Sequence, residues 1–419
     1  MVLQTLQQLN AGELKGVKRL QLAENLSEFP EAIYSLADSL EILDLSNNAL
    51  TSLPDDLASL SHLKILFCSN NRFTELPEVL GSCPKLEMIG FKSNQIKTVS
   101  GAALPRITRW LILTDNQIEN LPDEIGELPR LQKLALAGNQ LRDIPESIKH
   151  CQNLELIRLS ANALTTFPDV LLTLPKLAWL AFSGNPFCVE RHFHEEFKTV
   201  AADALVLHQV LGQGASGVIS KASWQHNPYH FPDHIAVKVF KGDVTSDGYP
   251  DDELDACLSI GVHENIVKPL AQISQSDCSA LLMELIPENY QNLGQPPSLE
   301  TCTRDTFTQG QAFTIQQIDF IVTQMEAVLQ HFMEKEISHG DLYAHNVLIN
   351  PDGHILFGDF GASSKYGNLS AEQKHGIQRI ERRAMAYFID DMLGLCNASD
   401  KNSELYRALQ QGLVGLSRA

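Results

Sequence analysis

The chain has no Cys-x-x-Cys pair. Its eight cysteines, Cys68, Cys83, Cys151, Cys188, Cys257, Cys278, Cys302 and Cys396, are scattered along the sequence. That argues against structural zinc and a dense disulfide framework, and for reduced thiols in a cytoplasm. Positive charge is also scarce, with 32 Lys and Arg against 51 Asp and Glu and a formal net charge of −19. An acidic chain repels phosphate backbones and anionic headgroups, so neither nucleic acid nor an anionic membrane surface is expected as a partner. No apolar run approaches the length of a membrane span, and no basic stretch followed by an apolar core opens the chain. What remains, 419 residues of which 44% are apolar and 20% charged, is enough for two or three globular domains, each with its own core.

The N-terminal half repeats itself. Leu40, Leu63, Leu86, Thr108, Leu131, Leu154 and Leu177 start units of 22 or 23 residues, and Val17 starts a weaker first copy. An Asn stands eight residues after every start: Asn25, Asn48, Asn71, Asn94, Asn116, Asn139, Asn162 and Asn185. Apolar residues recur within each unit, as in Leu43/Leu45, Leu111/Leu113, Leu134/Leu136 and Leu180/Phe182, and Pro recurs further on at Pro30, Pro54, Pro77, Pro122, Pro145 and Pro168. One short strand per unit cannot bury its leucines alone, so neighbours must stack into a shared core. The Asn side chain then satisfies main-chain groups where the chain leaves the strand. The pattern resembles leucine-rich repeats of the 23-residue kind over residues 17–187, in eight units, after a cap at 1–16. That implies an α/β solenoid.

In such a solenoid, the residues between the inward leucines face the concave side. That column holds Ile42, Ile65, Phe67, Met88, Trp110, Ile112 and Trp179. One reading is apolar side chains half-buried against neighbouring repeats. The sharper one is a protein-binding face with Phe67, Trp110 and Trp179 as anchors. Residues 188–204 read as a polar connector in which His192 and His194 lie near acids. A solvated link is the simple reading there, a metal site the alternative.

The second half is organised around His339-Gly340-Asp341-Leu342-Tyr343-Ala344-His345-Asn346, followed by Gly358-Asp359-Phe360-Gly361. Two carboxylates and a carboxamide on consecutive loops are what phosphoryl transfer from a metal-bound nucleotide requires. One carboxylate accepts the proton of the attacking hydroxyl, and the amide and second carboxylate hold the metal. Upstream, Leu207–Leu211 reads as a strand entering Gly212-Gln213-Gly214-Ala215-Ser216-Gly217-Val218-Ile219. Its strand–loop–strand context fits phosphate binding by free backbone amides. Ile235-Ala236-Val237-Lys238-Val239 is an alternating strand with one lysine.

As a set, these segments resemble the protein kinase domain over roughly residues 205–400. The resemblance implies an α+β two-lobed fold and Mg2+-ATP as cofactor, with the domain taken as 205–419. By the same resemblance Asp341 is the catalytic base, and Asn346 and Asp359 are the magnesium ligands. Gly212, Gly214, Gly217, Ile219, Ala236 and Lys238 face the nucleotide. Glu253 is the lysine's helix partner, with Asp252 and Asp255 left open. Met283 sits behind the adenine, and the backbone of Glu284 and Ile286 meets its edge. A helix from a Thr314 cap through Phe332, carrying Ile315, Ile318, Val322, Met325 and Leu329 on one face, delivers the chain to the catalytic loop.

The pattern also departs from ordinary kinases. Gly340 replaces the Arg that reads a phosphorylated activation loop, and Tyr343 replaces the Lys of Ser/Thr kinases. His345 stands where some tyrosine kinases place Arg. No Ala-Pro-Glu follows, and the C-terminal lobe is expected to be truncated, without its peptide-docking helices. Glu381 takes the place of an Asp on the helix that anchors the catalytic loop. Ser363, Ser364, Tyr366 and Ser370 are either autophosphorylation sites or plain loop residues. The sequence thus reads as a protein kinase, Ser/Thr rather than Tyr by preference, whose repeats find its partner. A small-molecule phosphotransferase of the aminoglycoside or choline kinase type is one alternative. A degenerate kinase scaffold is the other, weakened because Lys238, Asp341, Asn346 and Asp359 are all retained.

Overall fold

The computed structural model describes residues 4–188, 197–214, 216–227, 229–241, 244–245, 247–275 and 278–418. His192, His194 and Ala215 lie outside the described residues. The chain divides into two compact units, Met1–Leu177 with Asn185–Phe187, and Ala178–Gly184 with Cys188–Ala419. None of the seven described cysteines forms a disulfide.

The first unit opens with helix α1 (Leu6–Asn10), capped by Thr5 and Gln8 in reciprocal bonds. Short strands then follow one per repeat: β1 (Arg19–Gln21), β2 (Ile42–Asp44), β3 (Ile65–Phe67), β4 (Met88–Gly90), β5 (Trp110–Ile112), β6 (Lys133–Ala135) and β7 (Leu156–Arg158). They pair in parallel and in sequence order, so equivalent residues line up. Leu43, Leu66, Ile89, Leu111, Leu134 and Ile157 form one fully buried row. Between strands, the recurrent prolines start short 3-10 segments of five or six residues. Pro30, Pro77, Pro122, Pro145 and Pro168 all occupy the N-cap in extended conformation, a place where a missing N–H costs nothing.

The asparagines bridge successive turns. Asn139 Oδ1 accepts from the backbone N–H of Ile118 (3.0 Å), and its Nδ2 donates to the carbonyls of Leu113 and Leu136 (2.9 Å each). Asn71, Asn94, Asn116 and Asn162 repeat the pattern. Asn25 belongs to the first copy, before which there is no repeat turn to bridge, and it takes φ +57° instead. Asn139→Ala should therefore strand buried backbone groups on both sides of one turn. A loss of about 2–3 kcal/mol in denaturant unfolding is expected; a loss no larger than for an exposed Asn would refute the bridging role.

The second unit begins with β8 (Trp179–Ala181), the strand of the last repeat. It continues with β9 (Lys198–Thr199), β10 (Leu205–Gln213), β11 (Gly217–Trp224), β12 (His234–Phe240), α2 (Pro250–Ile260), β13 (Pro269–Gln275) and β14 (Cys278–Glu284). β9 to β14 form one sheet in the order β10-β11-β12-β14-β13-β9. Its core holds Ala222, Ile235, Val237, Ala271, Ile273, Ala280 and Leu282. After β15 (Gln291–Asn292) come α3 (Ile315–Glu334), β16 (Ile337–Ser338), β17 (Val347–Ile349), β18 (Ile355–Phe357), β19 (Ser364–Lys365), α4 (Ala371–Gly394) and α5 (Glu404–Arg418).

Helix α3 starts where its cap predicts. Thr314 and Gln317 close a capping box, and Ile315, Ile318, Val322, Met325, Leu329 and Phe332 are all buried. Helix α4 begins at Ala371, behind a third capping box made by Ser370 and Gln373.

Candidate active site

The glycine-rich stretch is the hairpin between β10 and β11. Gly212 pairs with Ile219 across it, and the Gly214 N–H donates to the Gly217 carbonyl (3.0 Å). At Gly217, a Cβ would stand 2.4 Å from the Val239 carbonyl oxygen, so β11 passes β12 too closely for any side chain. The register of β12 places Lys238 opposite Ile219 on one side and Leu281 on the other, and Ala236 opposite Met283. Met283, Glu284 and Ile286 are half-buried along the end of β14 and just beyond it. The Glu284 N–H donates to the Lys268 carbonyl (3.0 Å) and its carboxylate pairs with the Lys268 ammonium at 2.6 Å.

Helix α2 settles which acid meets the lysine. Lys238 Nζ donates to Glu253 Oε1, with 12% and 3% of the two side chains exposed. Asp255 turns instead to Lys365 on β19 (2.6 Å). Burial works against the charge on Lys238, but Glu253 and Asp359 beside it outweigh burial and hold its pKa above the ordinary lysine value. The ammonium is thus held charged beside two carboxylates.

The catalytic-loop segment is held by side chains from both ends of the lobe. Asn346 Nδ2 donates to the Asp341 carbonyl (2.9 Å) and to its Oδ2 (3.0 Å), which fixes the carboxylate. The Asp341 N–H donates to His339 Nδ1 (3.2 Å), and His339 is buried, stacked on Phe357 at 4.1 Å. Glu381 on α4 accepts from the N–H of His339 (3.0 Å) and of Gly340 (3.1 Å). Asp359 is exposed and takes φ +58°, a left-handed conformation that Asp tolerates better than most residues. With its Nδ2 committed to Asp341, Asn346 keeps its carbonyl oxygen as the atom able to ligate a metal. That oxygen and the Asp359 carboxylate are a hard-oxygen set of the kind Mg2+ accepts, so these two residues could hold it.

The departures noted in the sequence have physical causes. Gly340 takes φ +70°, and a Cβ there would lie 2.6 Å from the Ala362 carbonyl oxygen and 2.7 Å from that of Leu180. No arginine fits at that position. Tyr343 is buried, its ring stacked on Trp179 with centroids 4.4 Å apart, so it offers no counterpart to a substrate-facing lysine. His345 is tied to Asp305, Nδ1 to Oδ1 at 2.7 Å, and its N–H donates to Oδ2 (3.0 Å). Sequence reasoning missed Asp305, because it lies in a Pro/Gly-containing polar stretch with no periodicity to mark a buried residue.

Two expectations need correcting or narrowing. Trp179 is 1% exposed and packs inside the second unit, so it is not an anchor open to a partner. Phe67 and Trp110 remain half-buried on the sheet face, the latter with Lys133 Nζ 4.5 Å above its ring. Of the activation-segment hydroxyls, Ser363, Ser364 and Tyr366 are buried and Ser370 caps α4. In this conformation the buried three are out of reach of a phosphorylating enzyme.

Two family models match different parts of the chain. The family model described as protein kinase domain matches residues 205–379, and that described as leucine rich repeat matches 38–96 and 129–187. Fibroblast growth factor receptor 1 of Xenopus laevis is 26% identical over 196 residues, covering 45% of this chain and 24% of the receptor. The same receptor of Pleurodeles waltl is 24% identical over 193 residues, covering 44% and 24%. The chain therefore spans about a quarter of the length of these curated relatives. Among solved structures, a leucine-rich-repeat protein of Leptospira interrogans is 26% identical, covering 43% of this chain and 52% of its own, with a TM-score of 0.36. An internalin of Listeria monocytogenes is 24% identical, covering 41% and 49%, with a TM-score of 0.37.

Proposed function

Because the chain is a leucine-rich-repeat protein that carries a protein kinase domain, we propose that it transfers the γ-phosphate of Mg2+-ATP to a Ser or Thr hydroxyl of another protein. The observation that carries this reading is the joint placement of the Lys238–Glu253 pair beside Asp359, and of Asp341 bonded to Asn346, within one compact unit. Lys238 orients the phosphates while Glu253 holds the ammonium in place. Asp341, its carboxylate steered by Asn346, aligns the acceptor hydroxyl and takes its proton. Magnesium held by Asn346 and Asp359 would supply charge neutralisation at the phosphate oxygens. Ala236 and Met283 would wall the adenine, and backbone groups of Glu284 and Ile286 would meet its edge. Retention of Lys238, Asp341, Asn346 and Asp359 argues against a non-catalytic scaffold.

The repeats recruit the protein substrate or a partner, with Phe67 and Trp110 as anchors. Tethering raises local substrate concentration without new contacts at the active centre. Labelled-ATP incorporation into lysate proteins tests both parts. Wild type should label protein on Ser or Thr, and Trp110→Ala should reduce that labelling while turnover of a generic peptide is unchanged. Phosphotyrosine alone would overturn the acceptor class. Labelling of small amino alcohols or aminoglycosides but no protein would overturn the kinase reading, as would absence of ATP binding by calorimetry in the presence of magnesium.

A further inference from the structure

The segment Ala178–Gly184 carries the sequence of a leucine-rich repeat, yet it belongs to the compact unit that holds the candidate active site. Its contacts there fall on three parts of the phosphotransfer machinery. Trp179 Nε1 donates to the carbonyl of Leu342, the residue after Asp341, at 3.1 Å. The Trp179 ring is nearly parallel to those of Tyr343 (4.4 Å, 9°) and Tyr387 of α4 (5.2 Å, 18°). The Leu180 carbonyl closes on Gly340, leaving no room for a side chain. The N–H groups of Phe182 and Ser183 both donate to Ser364 Oγ, at 2.9 and 3.1 Å. Ser364 lies on β19, which pairs with β16 just before the catalytic loop, and its neighbour Lys365 is bound to Asp255 of the helix that supplies Glu253.

From this we infer that residues 179–183 are a built-in clamp of the catalytic centre, and that Trp179 is a positioning residue for phosphoryl transfer. The reading rests on the kinase function proposed above. The clamp acts through three fixed devices. The indole holds the backbone beside the catalytic carboxylate, the aromatic stack fixes Tyr343 two residues on, and two backbone donors share one serine oxygen of the activation segment. All three sites are dry. Trp179, Tyr343 and Ser364 are 1%, 5% and 1% exposed, so water offers no substitute when a contact is lost. The arrangement also gives the missing arginine a reason. The space at position 340 is closed from two sides, by the clamp's Leu180 carbonyl and by that of Ala362, and the activation segment is tied down by buried contacts without a phosphate. The catalytically competent unit therefore begins at residue 178, inside the last repeat, and not where the kinase-like pattern begins.

The test uses full-length protein with Trp179→Phe, Trp179→Ala and Ser364→Ala, and reads three quantities. The first is turnover of a generic acceptor peptide. With Trp179→Ala, kcat should fall about 30-fold or more while KM for ATP stays within about twofold, because the nucleotide contacts lie on other elements. Trp179→Phe keeps the stack and loses the indole donor, so a smaller fall of about three- to tenfold is expected, a partial rescue that simple loss of bulk does not predict. Ser364→Ala should lower kcat in the same direction. The second quantity is amide hydrogen exchange in residues 339–346 and 362–366, which should quicken in all three variants before exchange elsewhere in the unit does. The third is the melting temperature, which identifies a variant that has failed to fold; the Phe variant and Ser364→Ala then decide. Folded variants with unchanged kcat and unchanged exchange would overturn the clamp. If wild type transfers no phosphate, the kinase reading falls, and the exchange measurement still judges the clamp.

Discussion

Asp341→Asn should reduce phosphate transfer by about three orders of magnitude or more, at unaltered ATP affinity. The side chain keeps its size, so its surroundings need not move. What changes is the loss of the carboxylate proposed to take the acceptor's proton. The fixed geometry around it sharpens the expectation. Asn346 Nδ2 donates to Asp341 Oδ2, and the Asp341 N–H donates to His339. An amide at position 341 either turns its NH2 toward Asn346, which repels it, or presents that NH2 to the substrate, where nothing accepts a proton. Lys238, Glu253 and Asp359 are untouched, so calorimetry with ATP and magnesium should give a dissociation constant within about twofold of wild type. Retained transfer in the variant would remove Asp341 from the mechanism. Lost ATP binding would mean that the substitution had disturbed more than the base.

Lys238→Met should act on stability and turnover together. The lysine is the counter-ion of Glu253, which has only 3% of its side chain exposed. Removing one partner of a buried pair leaves a carboxylate that can neither find water nor keep its charge cheaply, at a cost of about 3 kcal/mol near neutral pH. The pH dependence has a definite sign. Burial pushes the Glu253 carboxyl up and Asp359 adds to the rise, while Lys238, with a hydrogen bond from Ser216, pulls it part of the way back, so that it stays above the ordinary carboxylate value. Without Lys238 the folded variant keeps a proton on Glu253 above the value at which the unfolded chain releases it, about 4.3. With Lys238 present the folded value is raised less, so the stability deficit relative to wild type grows with pH between the wild-type folded value and the higher folded value of the variant. Denaturant melts at pH 5 and pH 8 should show the larger deficit at pH 8. Transfer should fall at least about 100-fold, because the phosphates lose their fixed positive charge. An equal deficit at both pH values would mean that Glu253 finds another partner.

The sequence by itself determined whatever depends on local pattern. A strand of three residues with an Asn behind it has one way to bury its leucines, which is to stack, so the seven parallel strands of the first unit and their bridging asparagines follow from spacing alone. The Thr314 cap, the lysine strand and the order of the two loops were equally legible, because hydrogen-bond chemistry and periodicity act over a few residues. The tertiary structure alone decided which of three neighbouring acids meets Lys238. A helix face depends on how α2 docks, and that turns Glu253 to the lysine and Asp255 to Lys365. It also decided the fate of Trp179. Period and residue type put it on an open column with Trp110. Only the chain packed around it shows an indole buried between two tyrosines that lie 164 and 208 residues further along. Burial is a property of what arrives from elsewhere in the chain, and no local pattern encodes it.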